Sequence, residues 1–133
     1  MMAERTGLIL LFAGATPLLG LLLELLADIG HRVFRVADAE QGLDLAAHHR
    51  PDVILLDVGF PPDAQADILV RLKDGRATAA IPVIALTAEM ASLGEAGGLL
   101  DGWISKPFDI DVLEEHVARA VGRPAVRSRM KAS

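Results

Sequence analysis

Short apolar runs alternate with stretches of helical periodicity along most of the chain. The clearest run, Val53-Ile54-Leu55-Leu56, ends on Asp57 and is followed by the turn formers Gly59, Pro61 and Pro62. Four apolar residues are too few for a helix but suit a strand covered on both faces, as in a parallel sheet between helical layers. Residues 8–12, 33–36, 82–87 and 102–105 read as further strands, with Pro82 at a first position where a missing donor is tolerated. Between them the periodicity predicts helices over 17–29, from Asp38 through 49, over about 64–73, over 89–96 and over 110–121. Thr16 caps the first of these, Pro17 preorganises its first turn and Gly30 ends it. Asp38, Asp63 and Asp109 are read as further caps, and the second helix stops before Pro51 because a residue preceding proline avoids helical geometry. The fourth helix is the weakest, interrupted at Gly94 and again at Gly97-Gly98. Strict alternation implies right-handed crossovers and a doubly wound five-stranded parallel sheet of the α/β class.

A chain of 133 residues fits one domain, expected over 1–121, with a basic tail over 122–133. The tail carries Arg123, Arg127, Arg129 and Lys131 and no acid; with a net charge of −5 overall, the preceding residues carry −9. An acidic globular part argues against nucleic acid as its ligand. There is no cysteine, which removes disulfides and thiolate metal sites and makes the cytoplasm the expected compartment. Residues 7–27 are apolar enough to suggest a membrane span, but Gly14, Thr16 and Pro17 interrupt them. Glu24 would add about 2.5 to 3.5 kcal/mol at a bilayer centre. A strand, a turn and a helix fit better, so no membrane partner is expected.

Ligands of open α/β sheets sit at the carboxyl ends of the strands, which is where Asp57 falls. Residues 51–61 (PDVILLDVGFP), 72–88 (LKDGRATAAIPVIALTA) and 102–108 (GWISKPF) together resemble the receiver domain of two-component response regulators, in order and at familiar spacing. The resemblance spans roughly residues 7–121 and implies a flavodoxin-like (βα)5 fold. It places Asp57 at the phosphoacceptor position and Thr87 at the hydroxyl that contacts the phosphoryl group, with Ala88 as its small neighbour. It likewise places Lys106 at the lysine of the site and Trp103 at the switch aromatic. The chemistry is coherent: a carboxylate is a competent nucleophile, a lysine offers a point charge and a hydroxyl adds one donor.

One feature departs from that pattern. Receivers normally hold Mg²⁺ with two acidic residues after the first strand, and the corresponding positions here are Ala13 and Gly14. Hard cations need several oxygen ligands and usually more than one carboxylate. The usual three carboxylates and one lysine sum to about −2, which suits a divalent ion, whereas Asp57 and Lys106 sum to zero. Weak or absent Mg²⁺ binding is therefore expected, with no other cofactor and no enzymatic activity. Gln65 replaces a glycine that the family often has after its loop proline.

The leading expectation is an atypical receiver that works through contacts with a histidine kinase, a phosphotransfer protein, another signalling protein or a second copy of itself. Two further readings stay open. In one, a partner histidine phosphorylates Asp57; in the other, a small α/β protein binds an anion or nucleotide at the loop 13–16. On the first helix, Leu18, Leu21, Leu22, Leu25, Leu26 and Ile29 are expected to face the sheet, leaving Leu19 and Leu23 as a partner surface. His31, His48, His49 and His116 show no metal spacing and are read as surface or capping residues.

Overall fold

The computed structural model describes residues 7–14, 17–57, 62–87, 90–105 and 110–122. Five parallel strands form one sheet: β1 (Leu8–Phe12), β2 (Arg32–Val36), β3 (Val53–Asp57), β4 (Val83–Thr87) and β5 (Gly102–Ser105). Their order, β2-β1-β3-β4-β5, is the doubly wound, flavodoxin-like one. Helices α1 (Pro17–Ile29), α2 (Ala39–His49), α3 (Pro62–Asp74) and α4 (Ile110–Gly122) connect or follow the strands. The segment Met90–Leu99 is 3₁₀ rather than α-helical.

Side-chain alternation along the strands feeds two cores. Ile9, Leu11, Val53, Leu55, Ile84, Leu86 and Ile104 pack against Leu22 and Leu26 of α1 and Leu113 and Val117 of α4. Leu10, Phe12, Ile54, Leu56 and Val83 pack on the other face against Ala46 of α2 and Ile68, Leu69 and Leu72 of α3. Every residue of β3 is buried, as expected for the central strand of a covered parallel sheet. On α2, Gly42 presses so closely on the Phe12 ring that a Cβ there would overlap Phe12 Cε2 and Cζ.

Several expectations need correction. Helix α3 starts at Pro62, so Asp63 lies within its first turn and is not its cap. Proline is tolerated at that position because the first amide of a helix has no partner within the helix. The segment expected as a helix over 89–96 is 3₁₀ and continues to Leu99, bent at Gly94, whose φ of 60° and ψ of −142° leave helical space. Glycine is the residue that adopts such angles without a steric penalty. Strand β2 begins one residue early at Arg32, and β4 starts at Val83, although the Pro82 carbonyl still accepts the Ile54 amide at 2.9 Å. The Asp38 cap of α2 is as expected: its Oδ2 accepts the Gln41 amide at 2.9 Å. Arg50 closes that helix in the left-handed region, at φ 47°. The expected caps Thr16 and Asp109, and the tail from 123 onward, lie outside the described residues.

The first-helix stripe is also rotated from its expected orientation. Leu21 is 53% exposed, while Leu23, expected on a free surface, is half-buried against the α1/α4 core. Leu19 and Leu18 have side chains outside the described residues. No described helix is long and apolar enough to cross a membrane, and the stretch 7–27 resolves into β1 and the greater part of α1.

The amino edge of the sheet carries its own polar ties. Lys73 Nζ of α3 lies 2.7 Å from Asp101 Oδ2, which also accepts the Val83 amide at 2.8 Å. His31 is buried at 5% exposure, and its Nδ1 accepts the Gly7 amide at 3.2 Å. That corrects the surface reading for this histidine, which lies immediately before β2 where the chain passes beneath β1. His48 and His116 bond carbonyls of their own helices, and His49 meets Phe34 edge to face.

Candidate functional site

Chain direction reverses about β1 in this sheet: the connection after β1 leads outward to β2, and the one after β2 returns across to β3. The crevice between the carboxyl ends of β1 and β3 is therefore the topological switch point at which such sheets bind ligands. Register aligns Phe12 with Leu56, Asp57 with Leu86 and Thr87 with Ser105. Asp57 thus ends the central strand beside β1 on one side and β4 on the other. It is only 5% exposed, and the alternation of Val53 and Leu55 directs it to the α1/α4 face.

Ala13, the first residue past β1, is 1% exposed and belongs to the α1/α4 core. Its amide donates to the Val36 carbonyl at 3.0 Å, and its own carbonyl accepts Arg35 Nε at 3.1 Å. At the place next to Asp57 where a metal site would need carboxylates, the chain offers a methyl group at Ala13 and a hydrogen at Gly14. Among the described residues, those beside Asp57 do not fit a hard divalent cation, which needs several oxygens from the protein and water. Asp38, the carboxylate just beyond β2, caps α2. Among the described residues no group of three or more His, Cys, Asp or Glu is placed to share a metal ion.

Fold and sequence expectation agree on the placing of Asp57, Ala13 and Gly14, and on Thr87 as the last residue of β4. The Thr87 side chain, Ala88 and Lys106 lie outside the described residues. Trp103, the only tryptophan, lies on the edge strand β5 opposite Ala85 and is 52% exposed. Sequence reasoning passed over Arg35. Its signal was faint: the second of two arginines in the run RVFRV, on the same side as Val33, three residues before the cap of α2.

Comparison with known proteins points one way. A family model for the response regulator receiver domain matches residues 15–118. The polar-differentiation response regulator DivK of Brucella anthropi is 33% identical over 103 residues, which cover 74% of this chain and 83% of that protein. The KDP operon transcriptional regulatory protein KdpE of Escherichia coli K12 is 35% identical over 97 residues, 71% of this chain but 42% of that protein. Among solved structures, the receiver domain of the sensor histidine kinase PA1611 from Pseudomonas aeruginosa superimposes with a TM-score of 0.72 at 26% identity, over 88% of this chain and 98% of that one. That receiver was crystallised with a magnesium ion coordinated in its active site cleft.

Proposed function

The chain belongs to the response regulator receiver domain family of two-component signalling, and from that premise we propose that it is an atypical receiver in which Asp57 keeps the phosphoacceptor position while Mg²⁺-dependent phosphorylation is impaired. The observation that carries this reading is the packing of Ala13. Beside the buried Asp57 carboxylate, the residue that opens the loop after β1 is a core methyl whose backbone groups are both engaged by β2. Phosphoryl transfer depends on a cation to neutralise and align the transferring group. Among the described residues, one carboxylate at Asp57 with Ala13 and Gly14 after β1 assembles that cation poorly.

In this reading Thr87, Ala88 and Lys106 retain the phosphoryl-contact positions and Trp103 the switch position, while signalling runs chiefly through protein contacts. Those partners are a histidine kinase, a phosphotransfer protein or a second copy of the chain. A second reading, in which a partner histidine phosphorylates Asp57 efficiently, has one observation in its favour: Asp57 still ends the central strand at the switch point.

The test is incubation with acetyl phosphate, with and without Mg²⁺, followed by intact mass. Slow or absent gain of a phosphoryl group, indifferent to Mg²⁺, is the expected result. Rapid Mg²⁺-dependent gain of one phosphoryl group that is lost in Asp57→Asn would overturn the atypical reading in favour of the second.

A further inference from the structure

Strand β2 delivers a cation to the corner that lacks its acids. Arg35 alternates in step with Val33, which packs on the α1/α4 core, so it emerges on the face where Asp57 also lies. Its Nε is fixed on the Ala13 carbonyl at 3.1 Å, which raises the guanidinium from the level of Leu11, its register partner, to the end of β1. Neither terminal nitrogen is held by a described carboxylate. Asp38, the acid nearest to Arg35 in the sequence, caps α2 instead.

Two consequences follow from charge and distance. Arg35 brings one positive charge to the end of β1, which repels a divalent cation and attracts an anion. Neighbouring strands lie about 4.8 Å apart, so a guanidinium on the β2 side of Ala13 stands roughly 7 Å from β3. That is inside a Debye length of about 8 Å at physiological ionic strength. The planar guanidinium also offers paired donors that match a phosphate edge.

We propose that Arg35 is the resident cation of this corner and holds a phosphoryl oxyanion beside Asp57, where an ordinary receiver holds a metal ion. The inference rests on the metal-poor reading of the site. The oxyanion is either free phosphate or a phosphoryl group carried on Asp57, and both present the same oxygens to Arg35.

The experiment titrates the whole chain with inorganic phosphate in EDTA against chloride of matched ionic strength, reading the unfolding midpoint and the amide resonances of Ala13, Gly14 and Asp57. Phosphate is expected to raise the wild-type midpoint and move those resonances. Arg35→Gln should lose both responses, while Arg35→Lys should keep part of them, because the charge persists without the fork. Comparing the shift on adding phosphate, rather than the midpoint itself, keeps the test valid whatever the substitution does to stability in buffer. No response in the wild type, or an equal response in Arg35→Gln, overturns the proposal. An arm with acetyl phosphate and intact mass separates the sources: a phosphoryl gain that is slower in Arg35→Gln places the group on Asp57, and phosphate-induced shifts without mass gain place the free anion. Rapid Mg²⁺-dependent mass gain would remove the metal-poor reading while leaving the phosphate comparison to judge Arg35 separately.

Discussion

His31 shows how a single residue can couple this fold to pH. Burial holds its pKa below the ordinary 6.5, outweighing the opposing pull of Asp52 and Glu114. The neutral ring is the form that accepts the Gly7 amide through Nδ1. Because the unfolded chain binds a proton more readily than the folded one, His31 contributes stability that is fully present above pH 6.5 and is lost as the pH falls toward the depressed folded value. Urea midpoints of the wild type should therefore fall across that window, and His31→Gln should flatten this part of the profile. An unchanged slope in the variant would remove His31 as its source. Sequence alone reads this histidine as a surface or capping residue, since its partner, the Gly7 amide just before β1, lies 24 residues away in the chain. Arg35 carries only a faint local signal for the same reason: its Nε is held by the carbonyl of Ala13, just past β1 and 22 residues away in the chain.

At the scale of the element, α1 separates what periodicity predicts from what packing selects. The apolar stripe was evident, but it was too broad to locate its own centre. With about 100° per residue, a stripe centred between the buried Leu22 and Leu26 puts Leu21 about 120° away and Leu23 about 80° away. Leu23 therefore leans on the core and Leu21 faces outward beside the exposed Glu24 and Asp28. Leu23→Ala should lower the unfolding free energy by about 1–2 kcal/mol, as a half-buried leucine loses its packing. Leu21→Glu should change it by less than about 0.5 kcal/mol. Denaturant curves of the two variants check this, and equal losses would contradict the orientation of the helix. The segment Met90–Leu99 gives the complementary lesson. Gly94 signalled an interruption correctly, but nothing in the local pattern distinguishes 3₁₀ from a frayed α-helix.

For the molecule as a whole, the two edges of the sheet have different tasks. The carboxyl edge holds the candidate site; the amino edge is fastened by the Lys73–Asp101 pair, which joins the end of α3 to the starts of β4 and β5. Both side chains are mostly buried, at 17% and 13% exposure, so removing one partner leaves the other desolvated. Lys73→Met should cost about 2–3 kcal/mol in urea unfolding at pH 7 while leaving the acetyl phosphate assay unchanged. A loss below about 1 kcal/mol would show that the pair contributes little. By itself the sequence determined the alternation of strands and helices, the all-buried β3 and the delivery of Asp57 to a strand end, because these depend on local periodicity and turn chemistry. It also showed that Ala13 and Gly14 supply no acid after β1. Tertiary structure decided the rest: strand order set Ala13 and Asp57 at the switch point, helix packing turned Leu21 outward, and the residues flanking β1, Ala13 and Gly7, gave Arg35 and His31 their partners. Those outcomes depend on contacts between residues far apart in the chain, for which local pattern carries no signal.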